Sequence, residues 1–403
     1  MLLNIEIKNF LLFFLLILSS CTINSNVVRE ENTEINVYFC PQDYCLEKIL
    51  VLIGQSQDIK CAFYDLDLAK LIDELEQKNA DVVIEDSNAL EQFHTGHSFA
   101  LMHNKFCIFD DKIILTGSMN PTERGNYYNN NNIVIIKSKY LAKNYLDEFK
   151  ELKNNEYGKG KNVKNPVVFL GDTKIENYFC PEDNCKLHVI NAIRDAKEIY
   201  FMTYSFTDED IGNLLWNRNY LNFSVKGILE KKQLGKYSRY DDLKEFSIID
   251  TNPYTMHHKV FIVDNKTVIT GSYNPTKNAN EKNDENLLII HDKEVAEKYL
   301  QEFRRLYYGQ EVSSDLKIID VVYDVPGSDK GKEYVEIKNK GSENINLGYY
   351  FLSNKKTNSR LEGKINVNKT VKIYPRFSLI NKKGIVLLKK HIHVVDSFDW
   401  NNN

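Results

Sequence analysis

The chain has 403 residues, which exceeds one ordinary domain and suggests two or three. Hydrophobic residues make up 42% of it and charged residues 27%, so it can bury sizeable cores and is not compositionally disordered. A formal net charge of -4 excludes an overall basic field of the kind that attracts nucleic acid.

The N-terminus has the pattern of an export signal. Lys8 precedes the apolar run Phe10–Leu18, which is shorter than the roughly 20 residues needed to span a bilayer. The ending Leu18-Ser19-Ser20-Cys21 resembles a bacterial lipobox, which implies cleavage before Cys21 and acylation of its thiol. The alternatives are an ordinary signal peptide cleaved elsewhere or an uncleaved anchor. We expect a membrane-anchored lipoprotein of the bacterial cell envelope, facing the periplasm or the exterior.

Cysteine usage fits an exported protein. Two matched loops each hold a pair of cysteines that can close a local disulfide in an oxidising compartment. The metal-site alternative is weaker, because the spacing is not C-x2-C and no nearby His completes the ligands. Two further cysteines lie in apolar strand-like runs and are expected to be buried free thiols. The predicted disulfides are Cys40–Cys45 and Cys180–Cys185, and the predicted free thiols are Cys61 and Cys107.

The chain contains an internal repeat, in which strands and helices alternate in the same order in two copies. Matching elements of the two copies lie 140 residues apart in the first part of the repeat and 154 residues apart in its later part. The 14 additional residues (154 − 140) of the second copy fall in or near 229–252, which is rich in Lys, Arg and Tyr. Such a duplicated unit predicts α/β layers around central sheets. In the first copy, strands are predicted at 35–40, 59–64 and 133–136 and helices at 46–53, 68–78 and 140–152. In the second, strands are predicted at 175–180, 199–204 and 287–290 and helices at 187–193, 208–216 and 294–307.

The tail from Ser313 onward differs from both copies. Short alternating strands separated by turns predict a small all-β sandwich. It holds 16 Lys+Arg and 10 Asp+Glu, a net charge of +6, so the rest of the chain carries -4 − 6 = -10. This basic tail could contact DNA, anionic lipid or an acidic wall polymer, or it could be a solvated Lys-rich face.

One motif, H-x-K-x4-D-x6-G-S-x-N, occurs once in each copy. A single match to its first part would often be accidental, but two complete copies inside a repeat are a specific signal. Gly permits close backbone approach, and the polar side chains that follow can reach a phosphate oxygen. The first motif comprises His103, Lys105, Asp110, Gly117, Ser118 and Asn120, and the second comprises His257, Lys259, Asp264, Gly271, Ser272 and Asn274.

These residue types suit attack on a phosphodiester. Residues i and i+2 of a strand share a face, so His103 and Lys105 point the same way, as do His257 and Lys259, whereas His258 faces away. One neutral imidazole can attack phosphorus while a second, protonated one donates to the leaving group. The two Lys ammoniums and the Asn donors can stabilise charge on the equatorial oxygens, so no metal or other cofactor is expected.

The doubled motif resembles the phospholipase D superfamily of HKD phosphodiesterases over about residues 35–309, and the compact halves resemble its bacterial endonucleases. The resemblance implies two α-β-α halves about a pseudo-twofold axis, both motifs meeting in one site, and a monomer because one chain holds both half-sites. It also implies hydrolysis through a covalent phosphohistidine, with His103 as nucleophile and His257 as acid. Asp110 and Asp264 are carried over as catalytic residues with the His and Lys residues.

One departure from the family pattern separates the halves. An acidic residue beyond the Gly-Ser-x-Asn segment often orients an active-site His in this family. The second half has Glu285 there, but the first has Asn131. A carboxylate partner stabilises a cationic His and fixes its tautomer. Whether Glu285 contacts His257 or crosses to His103 stays open at this level.

The tail also resembles a lamin-tail domain, on Glu333–Asn339, Asn346–Ser353 and His393–Asp399, which implies an immunoglobulin-like sandwich that binds rather than catalyses. The predicted function is a phosphoric diester hydrolase, foremost a nucleic-acid endonuclease. The alternatives are a phospholipase D or phosphatidyl transferase acting on lipid head groups and, more remotely, a non-catalytic envelope-binding protein. The expected divisions are a signal peptide 1–21, a tether 22–34, a first half 35–157, a linker 158–174, a second half 175–310 and a β-sandwich 313–403.

Overall fold

A computed structural model describes residues 27–31, 34–96, 100–158, 160–308, 314–324, 331–379, 383–390 and 393–401. The predicted signal peptide and Cys21 lie outside the described residues. None of the helices within these ranges is long and apolar enough to cross a membrane.

The first half is a mixed seven-stranded sheet with helices on both faces. Strand β1 (Val27–Glu30) precedes this sheet in the chain but belongs to the sheet of the second half. The first sheet has the order β2-β8-β7-β6-β3-β4-β5, in which β3, β4 and β5 run parallel. Its elements are β2 (Ile35–Cys40), α1 (Cys45–Gln55), β3 (Ile59–Phe63), α2 (Ala69–Gln77), β4 (Asp81–Glu85), β5 (His94–Gly96), β6 (Lys105–Phe109), β7 (Ile113–Gly117), α3 (Glu123–Tyr127), β8 (Asn131–Lys137) and α4 (Lys139–Lys153).

The second half repeats this plan in a nine-stranded sheet of order β1-β9-β10-β16-β15-β14-β11-β12-β13. Its additional segment forms a 3-10 turn at Lys231–Gln233, α7 and β13. Its elements are β9 (Val167–Leu170), β10 (Thr173–Cys180), α5 (Cys185–Ile193), β11 (Glu198–Thr203), α6 (Glu209–Tyr220), β12 (Ser224–Leu229), α7 (Tyr240–Leu243), β13 (Ser247–Ile249), β14 (Lys259–Val263), β15 (Thr267–Gly271), α8 (Lys277–Glu281), β16 (Glu285–His291) and α9 (Lys293–Tyr308).

Side-chain caps start the helices that follow each motif. Ser138 accepts the N–H of Leu141 at 3.1 Å at the start of α4, and Asp292 accepts that of Val295 at 2.9 Å at the start of α9. Thr122 and Thr276 cap α3 and α8 in the same way. Such caps satisfy amide groups that the first turn of a helix leaves unpaired.

The two halves share one apolar core. Buried side chains of the inner sheet faces, such as Phe106 and Val260, pack in one cluster with Tyr145 of α4 and Tyr299 of α9. Separate clusters lie under α1 and α2 on the outer face of the first sheet and under α5 and α6 on that of the second. The confirmed two-half arrangement therefore depends on burying both inner faces together.

The described residues from 314 onward form an all-β unit, here called the C-terminal β domain, around its own apolar core. Its sheets have the orders β17-β18-β23, β19-β22 and β21-β20-β24-β25. The strands are β17 (Leu316–Val322), β18 (Tyr334–Asn339), β19 (Ile345–Asn346), β20 (Tyr350–Ser353), β21 (Asn358–Arg360), β22 (Lys364–Ile365), β23 (Thr370–Ile373), β24 (Lys383–Lys390) and β25 (His393–Asn401).

Three expectations need correction. Part of the expected tether is β1, which pairs in parallel with β9 of the second half, and β9 itself lies within the expected linker. Cys61 and Cys107 are not free thiols. They lie opposite each other on β3 and β6 and are joined in a disulfide, because antiparallel pairing brings their Cα atoms within 4.1 Å. The two predicted local pairs, Cys40–Cys45 and Cys180–Cys185, are also joined.

Candidate active site

Segments of the two halves cross-pair immediately before each motif strand. The N–H of His103 donates to the carbonyl oxygen of Asp284 at 2.9 Å, and the N–H of His257 donates to that of Asn130 at 2.8 Å. Each contact lies beside an isolated bridge, Met102–Asp284 and Asn130–Met256. Each half therefore fixes the backbone of the other half's histidine.

The side-chain partners of the two histidines also cross between the halves. Nδ1 of His103 lies 2.8 Å from Oε2 of Glu285. Nδ1 of His257 lies 2.9 Å from the carbonyl oxygen of Ser118 and 3.0 Å from Oδ1 of Asn131. The question left open by the sequence is thus answered, because Glu285 contacts His103 of the first half. Both rings line one cavity with Nδ1 engaged, which leaves Nε2 as the nitrogen available to a substrate.

The motif lysines lie beside the histidines at matched positions. Nζ of Lys105 donates to the carbonyl oxygen of His103 at 2.5 Å, and Nζ of Lys259 donates to that of His257 at 2.9 Å. Each ammonium also lies 4.9 Å from the centre of a tyrosine ring, Tyr64 or Tyr204. These cation–π contacts hold both ammoniums at the site.

Tyr64 and Tyr204 are site residues that sequence reasoning missed. Their rings contact His103 and His257 at centroid distances of 5.0 and 4.6 Å, and both side chains line the cavity. Their signal was available, since both follow matched strands at the 140-residue offset. Glu85 and Glu230 were missed as well; they accept the N–H of Met102 at 2.6 Å and of Met256 at 2.7 Å, one residue before each histidine.

Burial dominates the electrostatics of the site. It lowers the pKa of His103 to about 4, although Glu285 acts in the opposite direction. Burial, together with the positive charges of Lys259 and Lys105, lowers the pKa of His257 well below its usual range. Burial also lowers the pKa of Lys105 to about 7 and that of Lys259 well below its usual range. Both imidazoles are therefore neutral near pH 7 before an anion binds.

The motif aspartates are not at the reaction site, which corrects their assignment as catalytic. Asp110 lies five residues beyond Lys105, about 16 Å at roughly 3.3 Å per strand residue. It accepts the N–H groups of Gln57 and Asp58, both at 2.9 Å. Asp264 likewise accepts the N–H groups of Lys197 and Glu198. Both aspartates therefore tie the turn after the motif strand to the neighbouring strand.

The motif serines and the motif asparagines have different roles. Ser272 donates to Glu285 at 2.7 Å and Ser118 donates to Asn131 at 3.3 Å; both serines are fully buried and orient the partners of the histidines. Asn120 and Asn274 line the cavity. Oδ1 of each is buried without a hydrogen-bond partner among the described residues, so these amides can turn toward a bound phosphate.

The cavity that holds the histidines has a volume of approximately 1080 Å³ and extends mainly into the second half. The first half contributes Tyr64, Leu101, His103 and Asn120. Charged residues of the second half form the outer rim. They are Lys186, Asp208, Glu209, Asp210, Lys277 and Glu281. Two cations against four acids give this rim a net charge of -2.

A cluster of carboxylates that could hold a metal ion lies elsewhere in the described structure. Side-chain oxygens of Glu148, Glu151 and Glu182 lie within 4.8 Å of one another. None of these residues lines the cavity of the histidines.

The chain is similar to known proteins in sequence and in fold. Residues 30–153 and 189–307 match the family described as "Cardiolipin synthase, PLD-like domain". The chain is 38% identical over 137 residues to "Phospholipase D" of Rickettsia conorii, covering 33% of this chain and 68% of the relative. It shares its fold with the phosphatidylserine synthase of Haemophilus influenzae, at 13% identity and a TM-score of 0.53 over 67% of this chain and 86% of that one. Nuc from Salmonella typhimurium aligns with 31% identity and a TM-score of 0.32 over 34% of this chain and 95% of that one.

Proposed function

Because the chain belongs to the phospholipase D-like family, we propose that it is a phosphodiesterase in which His103 and His257 act on one substrate in two steps. The observation that carries this proposal is the cross-half arrangement of the two histidines. Each is held through Nδ1 by the opposite half, and both line the same cavity.

In the first step, the Nε2 lone pair of neutral His103 attacks phosphorus and the bond to the leaving oxygen breaks. The imidazole becomes cationic as the P–N bond forms, and Glu285 balances that charge. The negative charge of the bound phosphodiester raises the pKa of the nearby His257, so its Nε2 takes up a proton from solvent as the substrate binds and then donates that proton to the leaving oxygen.

In the second step, neutral His257 takes a proton from water, and the water oxygen attacks phosphorus. The P–N bond breaks and its electron pair returns to His103. The products are a phosphomonoester and an alcohol. The bound anion also favours the charged forms of Lys105 and Lys259, which stabilise the equatorial oxygens in both steps. The cycle uses groups of the chain alone, so we expect it to proceed in EDTA.

A nucleic-acid strand is the substrate that we propose first. Tyr237 is exposed at the cavity, and Nζ of Lys236 lies 5.5 Å from the centre of its ring. An exposed ring beside a cation is a platform on which a base can stack. Both residues belong to the additional segment of the second half, which the first half lacks.

A phospholipid head group is the second candidate. The rim charge of -2 repels a polyanion but attracts an ammonium, and the relative from Rickettsia conorii is named phospholipase D. A zwitterionic phosphodiester could place its phosphate at the histidines and its amine at the acidic rim. The acidic rim favours this candidate, and the exposed Tyr237 favours the first.

The deciding experiment incubates the protein with a linear single-stranded oligonucleotide and, separately, with phosphatidylcholine vesicles, both in EDTA. Cleavage of the oligonucleotide supports the nuclease, and choline release without that cleavage supports the lipid candidate instead. The His103→Ala variant controls for contaminating enzymes, because we expect it to be inactive in either assay. Inactivity of the unaltered protein toward every phosphodiester would contradict the proposed function.

The cellular setting is part of the proposal. The lipobox-like Cys21 and the paired cysteines support an acylated lipoprotein of the bacterial envelope, acting as a monomer. The lamin-tail resemblance supports an immunoglobulin-like sandwich for the C-terminal β domain. Globomycin-sensitive processing of the full chain, measured by gel mobility, tests the lipid anchor.

A further inference from the structure

The two halves place equivalent surfaces on either side of the histidines. In the first half, the start of α1 and helix α3 present Tyr44, Glu47, Glu123 and Tyr127, here called the first rim. The 140- and 154-residue offsets place Asn184, Leu187, Lys277 and Glu281 at the same positions of the second half, here called the second rim. A symmetric enzyme would expose both rims to the two substituents of a phosphodiester.

The C-terminal β domain covers the first rim with polar contacts. Asn346 donates to Glu47 at 2.7 Å, and the hydroxyl of Tyr349 donates to the same carboxylate. Arg360 donates to Glu123 at 2.6 Å, and its guanidinium lies 3.3 Å from the centre of the Tyr127 ring. Each charged or aromatic member of the first rim therefore has a partner in the β domain.

Aromatic contacts extend the same interface. The ring of Tyr349 lies 4.3 Å from that of Tyr44 and 5.2 Å from that of Tyr127. Phe351 lies 5.4 Å from Tyr128, which in turn lies 4.5 Å from Tyr254, three residues before His257. Tyr349 is fully buried, so this is a packed interface rather than a chance approach of two surfaces.

Within the described residues, the second rim has no hydrogen bond, ion pair or ring contact with the C-terminal β domain. Leu187 is 46% exposed, and Lys277, Asn278 and Glu281 are exposed as well. In the first rim only Glu123 is exposed to a similar degree, and it is paired with Arg360. Lys277, Asn278 and Glu281 line the cavity, whereas Glu123 and Tyr127, the counterparts of Lys277 and Glu281, do not. The cavity is therefore open along α8 and walled off from the equivalent surface of α3.

We propose that the C-terminal β domain makes the active site one-armed, so that only one substituent of the phosphodiester extends beyond it, along α8. This rests on the proposed function and refines its substrate to the end of a nucleic-acid strand. The charged residues of the outer rim of the cavity limit the length of that arm. Lys186 is paired with Asp210 at 2.7 Å, which leaves Lys277 to contact one further phosphate. The net charge of -2 on the outer rim does not favour a longer run of phosphates.

The topology of the substrate tests the proposal. The full chain is incubated in EDTA with a single-stranded oligonucleotide, with the same oligonucleotide ligated into a circle, with bis(p-nitrophenyl) phosphate and with phosphatidylcholine vesicles. We expect short products from the ends of the linear strand and cleavage of the circle at least about tenfold slower. Equal rates on circle and strand contradict the one-armed site, as does turnover confined to phosphatidylcholine vesicles. Failure to hydrolyse any of these phosphodiesters instead contradicts the proposed function.

A matched pair of variants localises the arm. We expect Lys277→Ala to raise KM for the linear oligonucleotide about five- to tenfold with little change in kcat, because it removes one contact to bound and reacting substrate alike. Glu123→Ala changes the equivalent position under the β domain and should leave both parameters unaltered. Equal effects of the two variants, or none at Lys277, overturn the proposal. Thermal melting of both variants separates a lost contact from lost folding.

Discussion

The two halves fill the same place in their sheets with different chemistry. On β3 and β6 of the first half, directly opposed Cys61 and Cys107 form a disulfide. On β11 and β14 of the second, the opposed residues are Phe201 and Phe261, whose ring centroids lie 6.1 Å apart. A covalent cross-link and an aromatic pair thus stabilise equivalent strand pairs, and neither contacts the histidines. The core can diverge while the strand positions stay the same.

The support beneath the histidines differs in charge. The residue after His257 is His258, which lies 3.2 Å from Glu302, and Glu302 also binds Arg305 at 2.7 Å. In the first half, Asn104 binds Glu148 at 2.9 Å, and Glu151 occupies the place of the arginine. Equivalent strands carrying the two motifs are therefore supported by an ion pair in the second half and by neutral or acidic groups in the first.

The pKa values follow this difference. Burial acts to raise the pKa of Glu302, but Arg305 and His258 lower it to about 2. Burial raises the pKa of Glu148 well above its usual range, and the neighbouring acids Glu182 and Asp284 act in the same direction. The pseudo-symmetry thus extends to backbone and catalytic groups and not to the charges that surround them.

The largest expected effect removes a catalytic group from either half. We expect His103→Ala and His257→Ala each to lower kcat/KM by about 10⁴-fold, at the upper end of what acid–base and nucleophilic groups contribute. The two differ in what accumulates. With a substrate whose leaving group needs no protonation, His257→Ala should trap phosphate on His103, visible by mass spectrometry. Label on His257 in the His103→Ala variant would reverse the assignment of nucleophile and acid.

The cross-link of the first half should dominate its stability. Replacing Cys61 and Cys107 together by Ala should lower the free energy of unfolding by about 4 kcal/mol, because a 46-residue loop is closed by this bond. Urea unfolding under non-reducing conditions measures it. Replacing Cys40 and Cys45, five residues apart, is the matched control, with an expected loss of about 2 kcal/mol. Equal losses from the two pairs would show that loop closure is not the cause.

Removing one carboxylate beneath each motif should distinguish the ion pair of the second half from the acidic cluster of the first. Glu302→Gln leaves the guanidinium of Arg305 buried without its carboxylate and should cost about 3 kcal/mol at neutral pH. Glu148→Gln is the matched change in the first half. It should leave the free energy of unfolding almost unchanged, because the carboxyl that it removes lies beside other acidic side chains and has no cationic partner among the described residues to lose. Chemical denaturation of both variants provides the comparison. A larger loss at Glu148 would contradict the charge difference described above.

Substitution of the residues that contact Nδ1 of each histidine compares the two halves at the active site. We expect Glu285→Gln to lower kcat about 10- to 100-fold, the equivalent of a charged hydrogen bond of about 1.5–3 kcal/mol. Asn131→Asp places a carboxylate beside His257 and should raise its pKa, which moves the alkaline limb of the kcat profile to higher pH. An unchanged profile for Asn131→Asp would show that the crossing contact does not control His257.

A further expected effect concerns stability and pH. Burial raises the pKa of Glu182 from 4.5 to about 7. The folded state therefore holds this proton more tightly than the unfolded state, so the contribution is fully present below pH 4.5 and is lost as pH rises through about 7. Glu182→Gln should become more stable relative to the unaltered protein between pH 5 and pH 8. Urea titrations at the two pH values measure that difference, and a constant difference would contradict it.

Much of the fold follows from local sequence patterns. Alternating apolar residues predicted the strands around both motifs, and spaced apolar residues predicted α4 and α9. Strand β1 was missed because four residues with polar neighbours show little periodicity and its partner β9 lies about 140 residues away. The Cys61–Cys107 disulfide was missed for the same reason, since only strand pairing brings the two residues together.

The sequence by itself determined that two His-Lys motifs belong to a duplicated unit, and which side chains share a strand face, because both depend on spacing along the chain. Tertiary structure alone decided that Glu285 serves His103, that Asn131 serves His257 and that the motif aspartates tie turns instead of contacting substrate. It also decided that the β domain covers one rim and leaves the other open. These contacts join segments remote in sequence, whose approach is set by burial of a common core and not by any local pattern.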